Sequence, residues 1–114
     1  MAITYTNDSA SISTTEYSLP TDSTSRTPQT TDCVLQTFID FSNMAADDRY
    51  AVRLYEKYDS GGTQRLVEEW ILDGVQSKPM FVHPSMVVGE GWDVTVTKLA
   101  GTDRTIYWSL RKVS

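Results

Sequence analysis

A side-chain period of two runs through the last quarter of the chain and sets the terms for everything before it. Trp92, Val94 and Val96 alternate with Asp93, Thr95 and Thr97. After a reversal at Ala100-Gly101-Thr102-Asp103, Arg104, Ile106, Trp108 and Leu110 alternate with Thr105, Tyr107, Ser109 and Arg111. That period belongs to a strand with one buried face, because successive side chains leave a strand on opposite sides. The same pattern recurs upstream in CVLQTFIDF, where Cys33, Leu35, Ile39 and Phe41 share one parity and Gln36 and Asp40 the other.

A central hairpin is expected over Tyr50 to Gly74, YAVRLYEKYDSGGTQRLVEEWILDG. Tyr50, Val52, Leu54 and Tyr58 fall on one parity, Arg53, Lys57 and Asp59 on the other, and Gly61-Gly62 is expected to supply the positive φ angles of a tight reversal. Residues 64–73 carry two patterns. Leu66, Val67, Trp70 and Ile71 also follow helical spacing, with Thr63 as a cap and Gly74 as a stop. A strand is favoured, since the run follows a reversal and a lone short helix has no layer to pack on.

Residues 1–32 are about half Ser and Thr, with few aliphatic side chains. Within them, TTEYSLP reads as a first edge strand ended by Pro20, residues 1–14 as an extended arm, and residues 20–32 as a long loop. A short strand at Met80 to Val82 is bounded by Pro79 and Pro84, and Gly89-Glu90-Gly91 turns the chain into the next strand. The spacing of Met44, Asp48 and Tyr50 matches a Greek-key corner in which a Tyr hydroxyl ties back to the backbone of a connecting loop. The whole chain, 1–114, reads as one all-β domain: an antiparallel β-sandwich of five to eight strands, jelly-roll or Ig-like Greek key, with Trp92, Trp108 and Trp70 between the sheets. If Trp92 is buried, Trp92→Ala is expected to cost about 3–5 kcal/mol.

The formal net charge is −5, a field that repels phosphate backbones and anionic lipid, so neither nucleic acid nor a membrane is an expected partner. MAITYTNDSA has neither a basic start nor an apolar stretch of signal-peptide length, and no window approaches a membrane span. Synthesis and folding in a cytoplasm are expected. Cys33 is the only cysteine, which excludes an internal disulfide and a multi-thiolate site.

Catalytic, cofactor-binding and metal residues are not expected. His83, the only histidine, has no nucleophile or second histidine at motif spacing. Glu68 and Glu69 point to opposite faces of a strand and cannot flank one bond. Asp47, Asp48, Asp59 and Asp103 sit in turns without the spacing of a calcium loop. GEG at 89–91 lacks the Gly-Lys-Ser/Thr of a phosphate loop and precedes a strand. Tyr55 and Tyr107 lie on the polar parity, where an exposed aromatic packs against a neighbouring subunit or stacks on a sugar. With Arg53 they form the expected partner-facing set.

Three blocks carry a resemblance: TTEYSLP near the start, RYAVRLYEKYD before the hairpin and AGTDRTIYWSLRKV at the end. In that order they resemble a group of small proteins found among bacteriophage virion genes. The resemblance implies a structural role and supplies no catalytic residues. The implied protein is a β-sandwich that coats or cements a capsid, or forms a head or tail accessory, located in the virion after synthesis in the host cytoplasm. Its implied partners are the major capsid protein and symmetric copies of itself. A carbohydrate-binding or adhesion module is the alternative expectation.

Overall fold

The computed structural model describes residues 2–114 and consists of eight strands: β1 Ile3–Ile12, β2 Tyr17–Ser18, β3 Cys33–Asp40, β4 Arg49–Glu56, β5 Arg65–Asp73, β6 Met80–Val88, β7 Asp93–Ala100 and β8 Arg104–Val113. They form two four-stranded antiparallel sheets, sheet 1 in the order β1-β8-β3-β6 and sheet 2 in the order β2-β7-β4-β5. Among the described residues there is no helix. The chain changes sheet at every connection except β4 to β5. This is the double Greek key of a jelly roll. The expected β-sandwich is therefore the observed fold, and the strand order decides for the jelly roll over the Ig-like alternative.

Alternation builds the core as anticipated. Leu35, Thr37 and Ile39 point inward from β3, Tyr50, Val52 and Leu54 from β4, Val94 and Val96 from β7, and Ile106, Trp108 and Leu110 from β8. Trp92 is fully enclosed, and its Nε1 donates to the Thr31 carbonyl at 3.0 Å. Residues 64–73 are strand: β5 pairs along β4, and its Trp70 and Leu72 pack against the core from that edge. The Tyr50 corner is present. Its hydroxyl donates to the Thr102 carbonyl at 2.8 Å and accepts from the Arg104 N–H at 2.9 Å, so it fixes the β7–β8 turn. Beside it Asp48 accepts from the N–H groups of Ala45 and Thr102 and from Arg104 Nε. Gly101, at φ +89°, passes so close to Asp48 that a Cβ there would lie 2.7 Å from the Asp48 Cα.

Four local expectations are corrected. Residues 1–14 are not a free arm: Ile3–Ile12 pair with β8 along their whole length, and Ile12 is fully buried. The strand expected over TTEYSLP shrinks to β2: Tyr17 and Ser18 pair with β7, and Leu19 adds one bond from its N–H to the Val94 carbonyl at 2.9 Å. Gly61-Gly62 is not a positive-φ turn; β4 and β5 are joined by residues 57–64, in which the Gly62 N–H donates to the Asp59 carbonyl at 2.9 Å. Tyr58 is consequently 93% exposed instead of buried. Finally, β6 runs through Pro84 to Val88. Proline is tolerated because β6 is an edge strand and the β3–β6 register shifts between Leu35 and Thr37, opposite this point.

Candidate interaction surfaces

The two outer faces of the sandwich differ in kind. On sheet 2, the residues of β7 on the polar parity, Asp93, Thr95 and Thr97, are as buried as those facing the core. Glu16 and the 19–32 loop form a network with this face. The Arg26 guanidinium reaches Asp93 Oδ2 at 2.9 Å, Glu16 Oε1 at 3.3 Å and Gln64 Oε1 at 3.2 Å, and stacks 4.3 Å over the Tyr55 ring. Ser18 Oγ donates to Asp93 Oδ1 at 2.7 Å. The Tyr55 hydroxyl donates to Glu16 Oε2 at 2.6 Å, and Thr95 Oγ1 donates to the same oxygen. Arg53 pairs with Glu69 at 2.5 Å and lies 3.9 Å from Glu16.

Burial shapes the protonation of this network. It pushes the Asp93 carboxyl above its ordinary value even though Ser18 and Arg26 bond it. It also pushes the Tyr55 hydroxyl up to about 12, with the bond to Glu16 acting in the same direction. The Glu16 carboxylate is occupied by Arg26 on one oxygen and by two hydroxyls on the other. The chemistry the network performs is to fasten the loop to the sheet. Tyr55 and Arg53, expected to face a partner, are thus half-buried and engaged within the chain.

Tyr107 is 54% exposed on the opposite side of the molecule, on the outer face of sheet 1. Reading across the register, that face is laid out in rows. Ile3, Val113, Val34 and Val87 stand side by side across all four strands. Further along, Asn7, Ser109, Phe38 and Val82 form another row, then Ser9, Tyr107, Asp40 and Met80. Val87 is 78% exposed and Tyr5, next to the first row, 56%. The Arg111 guanidinium lies 3.9 Å over the Phe38 ring and 5.5 Å from that of Tyr5. A groove of about 170 Å³ runs between Phe38, Asp40, Met80, Tyr107 and Arg111. A face of one antiparallel sheet turned to water ordinarily carries polar side chains, and a wholly apolar row across four strands marks a contact surface.

Glu68 and Glu69 diverge, one toward His83 Nε2 at 3.3 Å and the other to Arg53. The His83 ring packs against Trp70, centroids 5.2 Å apart. Among the described residues no group of three or more His, Cys, Asp or Glu side chains is arranged to hold a metal ion. The apolar row on sheet 1 and the half-buried network on sheet 2 escape a strand-by-strand reading, because each depends on which strands are neighbours. One clue to the network is legible: Arg26 is the only basic residue in the first 48. No protein-family model, no curated protein and no solved structure matches the chain.

Proposed function

We propose that the protein is a non-enzymatic structural component of a virion, a capsid decoration or cement protein that binds the outer surface of a phage head. The observation that carries this reading is the outer face of sheet 1, where Ile3, Val113, Val34 and Val87 cross all four strands as one apolar row. The blocks that resemble small virion proteins fall on β2, on β4 with the loop after it, and on the β7–β8 turn with β8. Jelly rolls occur in capsid and lectin domains alike, so the fold supports the reading only by analogy. The partners in this reading are the major capsid protein and symmetric copies of the protein itself. A modest apolar contact repeated over a symmetric lattice binds firmly through avidity.

Purified particles carrying stoichiometric amounts of the protein are the expected result, as is rebinding of added protein to stripped particles. Val87→Lys and Val34→Asp should abolish rebinding while shifting the melting temperature little, since both side chains face outward. Absence from purified particles together with failure of the added protein to bind them would refute the proposal.

A second reading rests on Tyr107, whose exposed ring borders the groove between Asp40 and Arg111. An aromatic flanked by hydrogen-bonding groups is the arrangement a carbohydrate-binding or adhesion module uses to stack on a sugar. A glycan array separates the two: binding that disappears in Tyr107→Ala favours this one, and an array without hits removes it.

A further inference from the structure

Four strands lie at sheet edges: β1 and β6 in sheet 1, β2 and β5 in sheet 2. An edge offers unpaired N–H and C=O groups to any passing strand, and proteins block such edges with shortness, charge, proline or bulges. Three of these are blocked. β2 has two residues; β5 carries Arg65, Glu68, Glu69 and Asp73 and a register shift; β6 holds Pro84 and a register shift. β1 has ten residues, no proline and a single charge, Asp8, and its pairing with β8 is regular throughout.

The direction of its backbone groups can be read from one bond. The Ser9 N–H donates to Asp8 Oδ1 at 2.8 Å, so it is not part of the ladder to β8. Backbone groups alternate in direction along an antiparallel strand, which places those of Ile3, Tyr5, Asn7, Ser9 and Ser11 on the free side.

We propose that β1 pairs antiparallel with β1 of a second copy, about a two-fold axis at Asn7, extending sheet 1 to eight strands. Such an axis, perpendicular to the sheet, sets outer-face residues opposite outer-face residues and must pass through a residue position. At Asp8 it would bring two carboxylates face to face. At Asn7 it sets amide against amide, Tyr5 opposite Ser9 of the second copy, and Asp8 opposite the Thr6 hydroxyl. Axes further from the middle shorten the overlap. In the free protein Asp8 occupies the Ser9 N–H and so competes with pairing. The inference is independent of what the assembled copies bind, and its test uses the purified protein alone.

Sedimentation velocity over rising concentration is expected to show a monomer–dimer equilibrium. Asp8→Ala should tighten it, by removing both the competing acceptor and the charge. Asn7→Pro should abolish it with little change in melting temperature, because proline is tolerated where an edge N–H points to solvent. Directly opposed residues of a hydrogen-bonded antiparallel pair sit with Cα atoms about 5.5 Å apart, inside the disulfide range of about 4.4–6.8 Å. Cys33 is buried, so an introduced cysteine is the reactive one. Asn7→Cys should therefore oxidise to a covalent dimer about ten-fold faster than Ser11→Cys, which would face Ile3. A monomer up to about 1 mM would overturn the proposal, as would a dimer that survives Asn7→Pro, or equal cross-linking at the two positions. Should Asn7→Pro fail to fold, the two cysteine variants decide.

Discussion

Asp48 ties two backbone segments and one arginine together beside the Tyr50 corner. Its oxygens accept from Ala45, Thr102 and Arg104, and these bonds, led by Arg104, bring its pKa down to about 2. A carboxyl with a folded pKa below its unfolded value contributes stability that is present above the unfolded value and lost as pH falls through the folded one. Denaturant midpoints measured from pH 7 downward should decline between about pH 5 and pH 2. Asp48→Asn, weaker at neutral pH, should decline less. Asp93 has the opposite sign: its raised folded pKa means stability present at low pH and lost as pH rises through that value. It depends on Arg26, whose side chain is about a quarter exposed. Arg26→Ala is thus expected to cost about 2–3 kcal/mol, below the ~3–5 kcal/mol of a fully buried pair. Arg26→Ala combined with Asp93→Asn should recover part of that loss in urea melts.

At the scale of elements, β1 joins edge to core. Removing residues 1–14 takes Ile12 from the interior and leaves β8 as an unprotected edge. Scanning calorimetry should show a large loss, since deleting one buried Ile side chain alone is worth about 2–5 kcal/mol. Removing residues 2–8 spares Ala10 and Ile12 and should lower the transition much less. Strands β3, β4, β7 and β8 were legible because one parity of each is filled with aliphatic or aromatic side chains. β1 was not: Thr4, Thr6 and Asp8 on its inner parity are polar, so the period of two carries no apolar stripe before Ala10 and Ile12. Tyr107 was correctly placed outside by its parity. Tyr55 has the right parity too, but Glu16 and Arg26 come from elsewhere in the chain to engage it. Parity reports the face of a strand, and only tertiary packing reports what covers that face.

The two outer faces of the molecule are covered to different extents. Over β7, sheet 2 is covered by the chain's own loop and ion pairs, with Leu66 and Ile71 of β5 left exposed, while sheet 1 presents the row of Ile3, Val113, Val34 and Val87 outward. Ile3 stands opposite Val113, about 110 residues away along the chain, whereas Glu56 and Arg65 meet across a short loop. Closing a long loop costs entropy before any contact repays it, growing as roughly (3/2)RT ln n. The β1–β8 seam is therefore expected to form late in folding and the β4–β5 hairpin early, with refolding in the millisecond-to-second range of non-local β topologies. In a chevron analysis, Ile12→Val should mainly speed unfolding and Val52→Ala should slow folding. During synthesis β8 emerges last, so β1, though made before the other strands, waits longest to dock. Until it docks, β8 itself is an open edge, and a crowded chain must survive that interval without pairing with the wrong neighbour.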